Sequence, residues 1–289
     1  MSHNKNNIIE DIIRRAILED LHTEGDITSN ALFSPDDTAC AIIRSKEEGI
    51  LSGVSTIGPV FQTCNQTVAV DLKLADGSVL AAGSVICSLE GPVRAILAGE
   101  RTALNLLQRL SGIATLTSRF QKAVSHTSAH ILDTRKTTPT LRILEKQAVL
   151  HGGGMNHRYG LYDMMLIKDT HVKRSGGVAQ ALRKALAFRE AQGDKGLNLK
   201  IEIEIQSISE FAAALEFKPD RIMLDNMSTG DMSECVSRRD YLCREIELEA
   251  SGNINLANVT AVAQTGVDFI SIGALTHSAP ALDIHLVIQ

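Results

Sequence analysis

The chain has 289 residues, 44% of them apolar and 22% charged, with a formal net charge of −5. That balance excludes a disordered or fibrous chain, and the length suits one large core or two modest domains. Every long apolar stretch is broken by charge or glycine, and the start, MSHNKNNIIEDIIRRAILED, is polar and then amphipathic, so neither a membrane span nor a signal peptide is expected.

Residues 8–20 carry apolar side chains at helical spacing, which predicts an opening amphipathic helix. GDITS at 25–29 supplies a turn and a helix cap. From 38 to about 90 the pattern is of short strands: ACAIIRS, TVAVDLKL, ADGSVL and GSVICSL, with Ala75-Asp76-Gly77 expected to be a hairpin turn. Residues 92–128 read as helix again, with a weak point at Gly112. The N-terminal third is thus a small α+β unit. Five cysteines, Cys40, Cys64, Cys87, Cys235 and Cys243, contain no CxxC pair. They read as small buried residues of a reducing compartment, and the expected location is cytoplasmic.

The charge is uneven along the chain. From Arg101 to Arg174 there are 12 Lys/Arg against 4 Asp/Glu, and five of the nine histidines, while the remainder of the chain is strongly acidic. A basic stretch on an acidic protein suits an anionic ligand. With three Tyr, seven Phe and no Trp there is little to stack on bases, so small anions are expected rather than nucleic acid.

Beyond residue 128 short apolar runs recur: HILDTRK, DMMLIKDTH, LKIEIEI, RIMLDNM, EIELEASG and FISIGALTH, separated by helical patterns such as VAQALRKALAFREAQ. The polar residues that end them are Asp133, Lys168, Glu204, Asp225, Ser251 and Gly273. Their spacing fits one strand and one helix each, so the fold class is α/β, with a parallel sheet either closed into a barrel or open and doubly wound. The barrel is preferred because strand after strand ends in a charged residue or glycine, and six units make it a short or incomplete one. A barrel gathers all these strand ends on one face.

Each strand end carries candidate chemistry. Arg135 and Lys136 follow the first, beside the hydroxyls of Thr134, Thr137 and Thr138; arginine offers a planar fork to carboxylate or phosphate, lysine a compact charge. The glycine triplet 152–154 allows close backbone approach and leads into His157 and Arg158, a candidate anion site. Lys168 ends the second strand; the plain alternative pairs it with Asp169 in solvent. Glu202 and Glu204 alternate along one strand and so share a face, where a buried acid pair needs a metal, a lysine or a hydroxyl-rich ligand. Asp225 ends an apolar strand. Ser251, Gly252 and Gly273 lie in loops after the last two strands, where barrels commonly hold phosphate. Two acids, phosphate loops and many cations suit a phosphorylated sugar reacting with a second anion.

The motifs DTRKTTP, GGGxNHR, GLYDxxLIKD, EIE, IMLDNM, LEASG and GVDFISIGALTH, in that order, resemble those of quinolinate phosphoribosyltransferase, the carboxylating nicotinate-nucleotide pyrophosphorylase family. The resemblance spans nearly the whole chain. It implies an N-terminal α+β sandwich domain over residues 1–112, to which the segment 274–289 is a candidate addition, and an incomplete α/β barrel over 113–273. It implies condensation of quinolinate with phosphoribosyl pyrophosphate to give nicotinate mononucleotide, pyrophosphate and CO₂, with Mg²⁺ as cofactor. By the same resemblance Arg135, His157, Arg158 and Lys168 surround the quinolinate carboxylates, with Thr134 beside them and Arg101 reaching in from the second subunit of a homodimer or a higher oligomer. Lys136 and Lys168 neutralise phosphate, Glu204 and Asp225 hold ribose hydroxyls and Mg²⁺, and Ser251, Gly252 and Gly273 bind phosphate. Three positions depart from the family's commonest pattern: Thr140 for glycine, Thr170 for asparagine and Asn253 for a second glycine. The rivals are a Schiff-base lyase built on Lys168, a repurposed paralogue, and nicotinate phosphoribosyltransferase; the number of cations argues against the last two.

Overall fold

The computed structural model describes the backbone of residues 2–289 and the side chains of residues 7–289. The chain divides into two compact units: 1–118, 137–153 and 275–289 form the first, and 119–136 with 154–274 the second. The units are interleaved along the chain, since 137–153 and 275–289 both return to the first.

The first unit opens with α1 (Ser2–Leu21), which buries Ile9, Ile13 and Ile17 at four-residue intervals. Asp26 then caps α2 (Ile27–Leu32), its carboxylate accepting the Thr28 and Ser29 backbone N–H groups. The strands are β1 (Thr38–Ser45), β2 (Gly49–Ile50), β3 (Ala69–Leu72), β4 (Val79–Leu80) and β5 (Val85–Pro92), with α3 (Ile57–Cys64) after β2. β12 (Ile284–Ile288) joins them from the C-terminal end, giving an antiparallel sheet of order β12-β1-β5-β3. The turn at 75–78 forms, but β3 pairs with β5 and β4 with β2, so it does not close a hairpin. Its hydrogen bonds explain why: Asp76 accepts the Val54 N–H and Gly77 donates to Leu51, docking the turn on that segment instead of folding β4 back onto β3.

The long helix α4 (Val93–Val124) runs through Gly112 without a break. The glycine serves packing, because a Cβ there would overlap the carbonyl oxygen of Pro280. Gly152, the C-cap of α5 (Arg142–His151), is required in the same way against Ala114. No disulfide is present among the described residues; Cys87, Cys235 and Cys243 are buried as expected, but Cys64 is half-buried and Cys40 exposed.

The second unit holds six parallel strands: β6 (His130–Leu132), β7 (Met165–Ile167), β8 (Ile201–Ile205), β9 (Arg221–Asp225), β10 (Glu247–Ser251) and β11 (Phe269–Ser271). Between them lie α6 (Asp169–Ser175), α7 (Val178–Ala191), α8 (Ile208–Leu215), α9 (Thr229–Leu242) and α10 (Val259–Ala263), with α11 (Ala274–His277) following β11. Ser207 and Ser228 cap α8 and α9 by accepting the Glu210 and Asp231 N–H groups. The order β6-β11-β10-β9-β8-β7 pairs the first strand with the last. β6 and β7 are therefore the two ends of the sheet, yet residues just after both line one cavity, so the sheet curls on itself and stays open between them. Beyond β6 a single parallel bridge, Leu132 to Met155, extends that edge. This is the incomplete barrel. Alternation sends Ile201, Ile203 and Ile205 to one face of β8 and Glu202 and Glu204 to the other, into the barrel.

Candidate active site

A cavity of about 430 Å³ opens at the carboxyl ends of the barrel strands. Thr134, Arg135 and Lys136 enter it after β6, Lys168 after β7, Glu204 from β8, Asp225 from β9, Ser251 and Gly252 from the end of β10, and His157 and Arg158 from the segment that follows Met155. Arg101 and Gly273 are not among the lining residues. Arg101 lies on α4 in the first unit, its guanidinium exposed and 4.0 Å from Glu100. Gly273 lies two residues past Ser271, which does line the cavity.

One side of the cavity is cationic. Burial, and then the positive charge of Arg135, hold the Arg158 guanidinium below its usual pKa. Two guanidiniums close enough to repel in a half-buried place are stabilised by an anion between them. Arg158 is held in place by its bond to the Met164 carbonyl at 3.1 Å, and the loop behind it by the Asp163 carboxylate, which accepts the Tyr159 and Gly160 N–H groups at 2.6 and 2.8 Å. None of the glycines 152–154 lines the cavity, whereas His157 and Arg158 after them do. Lys168 is exposed at the N-cap of α6, where its N–H donates to His171 at 2.9 Å. Asp169 pairs with Lys173 at 3.1 Å, not with Lys168.

The same cavity carries Glu204 and Asp225. Burial, and then the charge of Asp225, push the Glu204 carboxyl up, with Lys168 and Lys136 opposing. Two neighbouring acids that repel invite a cation or hydroxyl donors, and an all-oxygen set of this kind fits a hard divalent ion such as Mg²⁺.

Beneath the mouth is a buried charge cluster. His157 Nε2 lies 3.0 Å from Glu202 and 3.3 Å from Glu249, and Arg221 donates to Glu249 at 2.9 Å. Arg221 also bonds Glu247 and stacks over the Phe269 ring, its guanidinium 4.0 Å from the centroid. Burial works against charging His157, but the hydrogen bonds and charges of the two glutamates outweigh it and raise its pKa to about 9. Burial, and then the charge of Glu249, push Glu202 up to about 7. Glu249 is held low: burial opposes this, but His157, Arg221 and Ser271 outweigh it. The Arg158 N–H donates to His157 Nδ1 at 2.7 Å, so the proton of the neutral ring sits on Nε2, towards the acids. His157, Glu202 and Glu249 are close enough together to hold a metal ion, but Arg221 already supplies the counter-charge there. The Glu202–Glu204 pair therefore divides: Glu202 finds a histidine, and Glu204 faces the cavity.

Glu249, Arg221, Asn226 and Asn253 belong to this constellation without having been singled out as site residues. The alternation of Glu247, Glu249 and Ser251 along β10 is the signal that places Glu249 on the inner face beside Ser251.

Known proteins resemble this chain over nearly its whole length. Residues 113–287 match the C-terminal domain of quinolinate phosphoribosyl transferase and residues 26–111 its N-terminal domain. A probable nicotinate-nucleotide pyrophosphorylase (carboxylating) of Bacillus subtilis (strain 168) is 40% identical over 278 residues, covering 96% of this chain and 92% of that protein. A quinolinate phosphoribosyltransferase (decarboxylating) of Nicotiana tabacum is 39% identical, covering 97% and 82%. The solved nicotinate-nucleotide pyrophosphorylase of Francisella tularensis superimposes with a TM-score of 0.90 at 38% identity, over 98% of this chain and 97% of that one.

Proposed function

This chain belongs to the quinolinate phosphoribosyl transferase family, and from that premise we propose that its barrel mouth joins quinolinate to phosphoribosyl pyrophosphate, giving nicotinate mononucleotide, pyrophosphate and CO₂ for NAD synthesis. The observation that carries this reading is a single cavity with two demands: the neighbouring guanidiniums of Arg135 and Arg158 repel each other, and so do the neighbouring carboxylates of Glu204 and Asp225. A dicarboxylate answers the first, and the ribose hydroxyls of a phosphorylated sugar answer the second.

Arg135 and Arg158 clamp the two carboxylates, with Thr134 and Lys168 beside them and the charge of His157 below. Lys136 and Lys168 meet the phosphates, and Ser251 and Gly252 hold phosphate from the loop after β10, with Gly273 in the next. Glu204 and Asp225 hold the ribose hydroxyls and would also hold Mg²⁺, which when bound adds positive charge against the departing pyrophosphate. The pyridine nitrogen attacks C1 of the ribose as pyrophosphate leaves, and Glu204 or Asp225 stabilises the cationic sugar that develops. The quaternised nitrogen then favours loss of the adjacent carboxylate as CO₂, stabilising the electron pair left on the neighbouring ring carbon until that carbon takes up a proton from solvent. No covalent nucleophile is needed.

The assembly in this reading is a homodimer in which exposed Arg101 reaches the other chain's mouth. Arg101→Ala and Lys136→Ala chains, each inactive alone, should then recover about a quarter of full activity when randomly mixed, because half the dimers are mixed and each has one intact site. No helix among the described residues is long and apolar enough to cross a membrane. The direct test supplies quinolinate, phosphoribosyl pyrophosphate and Mg²⁺ and measures CO₂ and pyrophosphate. Equal turnover of nicotinate would overturn the two-carboxylate assignment.

A further inference from the structure

The loops after β9 and β10 are joined by a chain of amide side chains that ends on Asp225. Asn253 Nδ2 donates to Asn226 Oδ1 at 3.0 Å, and Asn226 Nδ2 donates to Asp225 Oδ2 at 2.8 Å. Gln206, just after β8, reaches the same oxygen at 3.4 Å. Surface amide bonds are weak unless the groups are held in place, and here both asparagines are held. Asn226 and Asn253 have φ of 55° and 51°, in the left-handed region that asparagine tolerates better than most residues. The Asn226 N–H donates to the Ser251 carbonyl at 2.9 Å, tying the two loops together. The Asn226 side chain lies directly over Gly252, at φ 95°, leaving no room for a Cβ there. The Asn253 carbonyl in turn accepts Asn258 at 3.1 Å and Asn255 at 3.4 Å.

We propose that Asn253 and Asn226 are positioning residues that aim the Asp225 carboxylate into the cavity, Asn253 acting through Asn226. The inference rests on the reading of the site as a phosphoribosyl transferase. The amides of Asn226 and Gln206 converge on Oδ2 of Asp225, so the carboxylate cannot rotate without breaking those bonds, and Oδ1 is left for the ribose. Asn253 stands where the family resemblance has a second glycine. That departure turns a stretch of bare phosphate loop into a brace for the acid, and the left-handed backbone is kept because asparagine tolerates it.

Glycine is the clean substitution, since it keeps φ above zero without strain and removes only the side chain. With the full chain, KM for phosphoribosyl pyrophosphate should rise about fivefold in Asn253→Gly and about tenfold in Asn226→Gly. KM for quinolinate and the melting midpoint should not fall or rise appreciably in either. The double variant should match Asn226→Gly alone, because Asn253 has no other route to Asp225. Unchanged KM for phosphoribosyl pyrophosphate in an active protein overturns the inference alone. Additive effects in the double variant overturn the relay by giving Asn253 its own contact with substrate. Equal rises in both KM values, or a lowered melting midpoint, reduce the asparagines to loop structure and overturn it too. No turnover by the unmodified chain overturns the reading of the site, and this inference with it.

Discussion

Glu202 and Glu204 sit two residues apart on β8 and face the same way, yet they live in different chemistry. Glu202 is fully buried in the floor, 3.0 Å from His157 and surrounded by Glu249 and Arg221. Glu204 reaches the cavity, where its nearest acidic neighbour repels it. One step of the β repeat carries the strand from charges the protein satisfies to charges it leaves for a ligand. The floor pairs acids with bases at hydrogen-bond distance, whereas the rim sets acid beside acid at the cavity, so the floor should answer to stability and the rim to substrate.

The largest expected effect tests the floor. Glu249→Ala leaves Arg221 and His157 without their common partner in a dry place, and should cost about 3–5 kcal/mol in urea unfolding. Asp225→Asn on the rim should leave unfolding nearly unchanged while reducing turnover. If Glu249→Ala proves as stable as the parent, the floor is not a paired unit and the contrast fails.

The floor should also show itself in pH. The His157 pKa rises from about 6.5 unfolded to about 9 folded, so its contribution is complete below about pH 6.5 and is lost as pH rises through 9. Glu202, raised to about 7, adds a loss of the same sign at lower pH. Charging His157 gives up the Arg158 bond to Nδ1, which offsets part of the gain, so the whole loss should be at most about 3 kcal/mol. Melting midpoints should therefore fall from pH 6.5 to 9. In His157→Gln that fall should flatten; an unaltered slope would place the titrating group elsewhere.

On the rim, Arg158→Ala should weaken quinolinate binding about tenfold or more, since a charge-assisted pair contributes roughly 1.5–3 kcal/mol. Binding of phosphoribosyl pyrophosphate should change little. Equal losses for both substrates, measured by calorimetry, would show that Arg158 supports the cavity as a whole instead of serving one of its sides.

Much of this contrast was legible in the sequence, but unevenly. The six strand ends and the cations after them could be read because a barrel puts successive carboxyl ends together and period-two alternation fixes each face. That reading places Arg135, Lys136, Arg158, Lys168, Glu204 and Asp225 around one cavity, as found. Which acid pairs with which base could not be read, because His157 and Glu202 are 45 positions apart and meet only when the sheet curls. The glycines misled for a related reason. Gly112 and Gly152 look like a break and an anion loop, but each answers a close approach by a distant carbonyl, Pro280 for one and Ala114 for the other. The turn at 75–77 was recognised from its local residues, whereas the partners of its flanking strands depend on contacts with residues 51–54.

The smallest expected effect extends the comparison to another buried acid. Glu145 in the first unit is as inaccessible as Glu249 and, like it, is satisfied internally: Arg109 lies 3.1 Å away, and the Thr138 N–H and hydroxyl donate to it at 3.0 and 2.7 Å. That grip closes the loop from Thr138 to Leu141 and leaves Thr140 at φ 69°. A β-branched residue is strained there, and this is one of the positions where the family resemblance has glycine. Thr140 is exposed and its side chain has no core to fill, so Thr140→Gly should relieve the strain. Glycine's larger unfolded-state entropy works the other way by a smaller amount. The net expectation is a gain of up to about 1 kcal/mol in urea unfolding, with activity unchanged. A loss of stability would mean that the Glu145 grip does not impose the left-handed turn, and that buried acids in this chain brace their own surroundings only in the barrel floor.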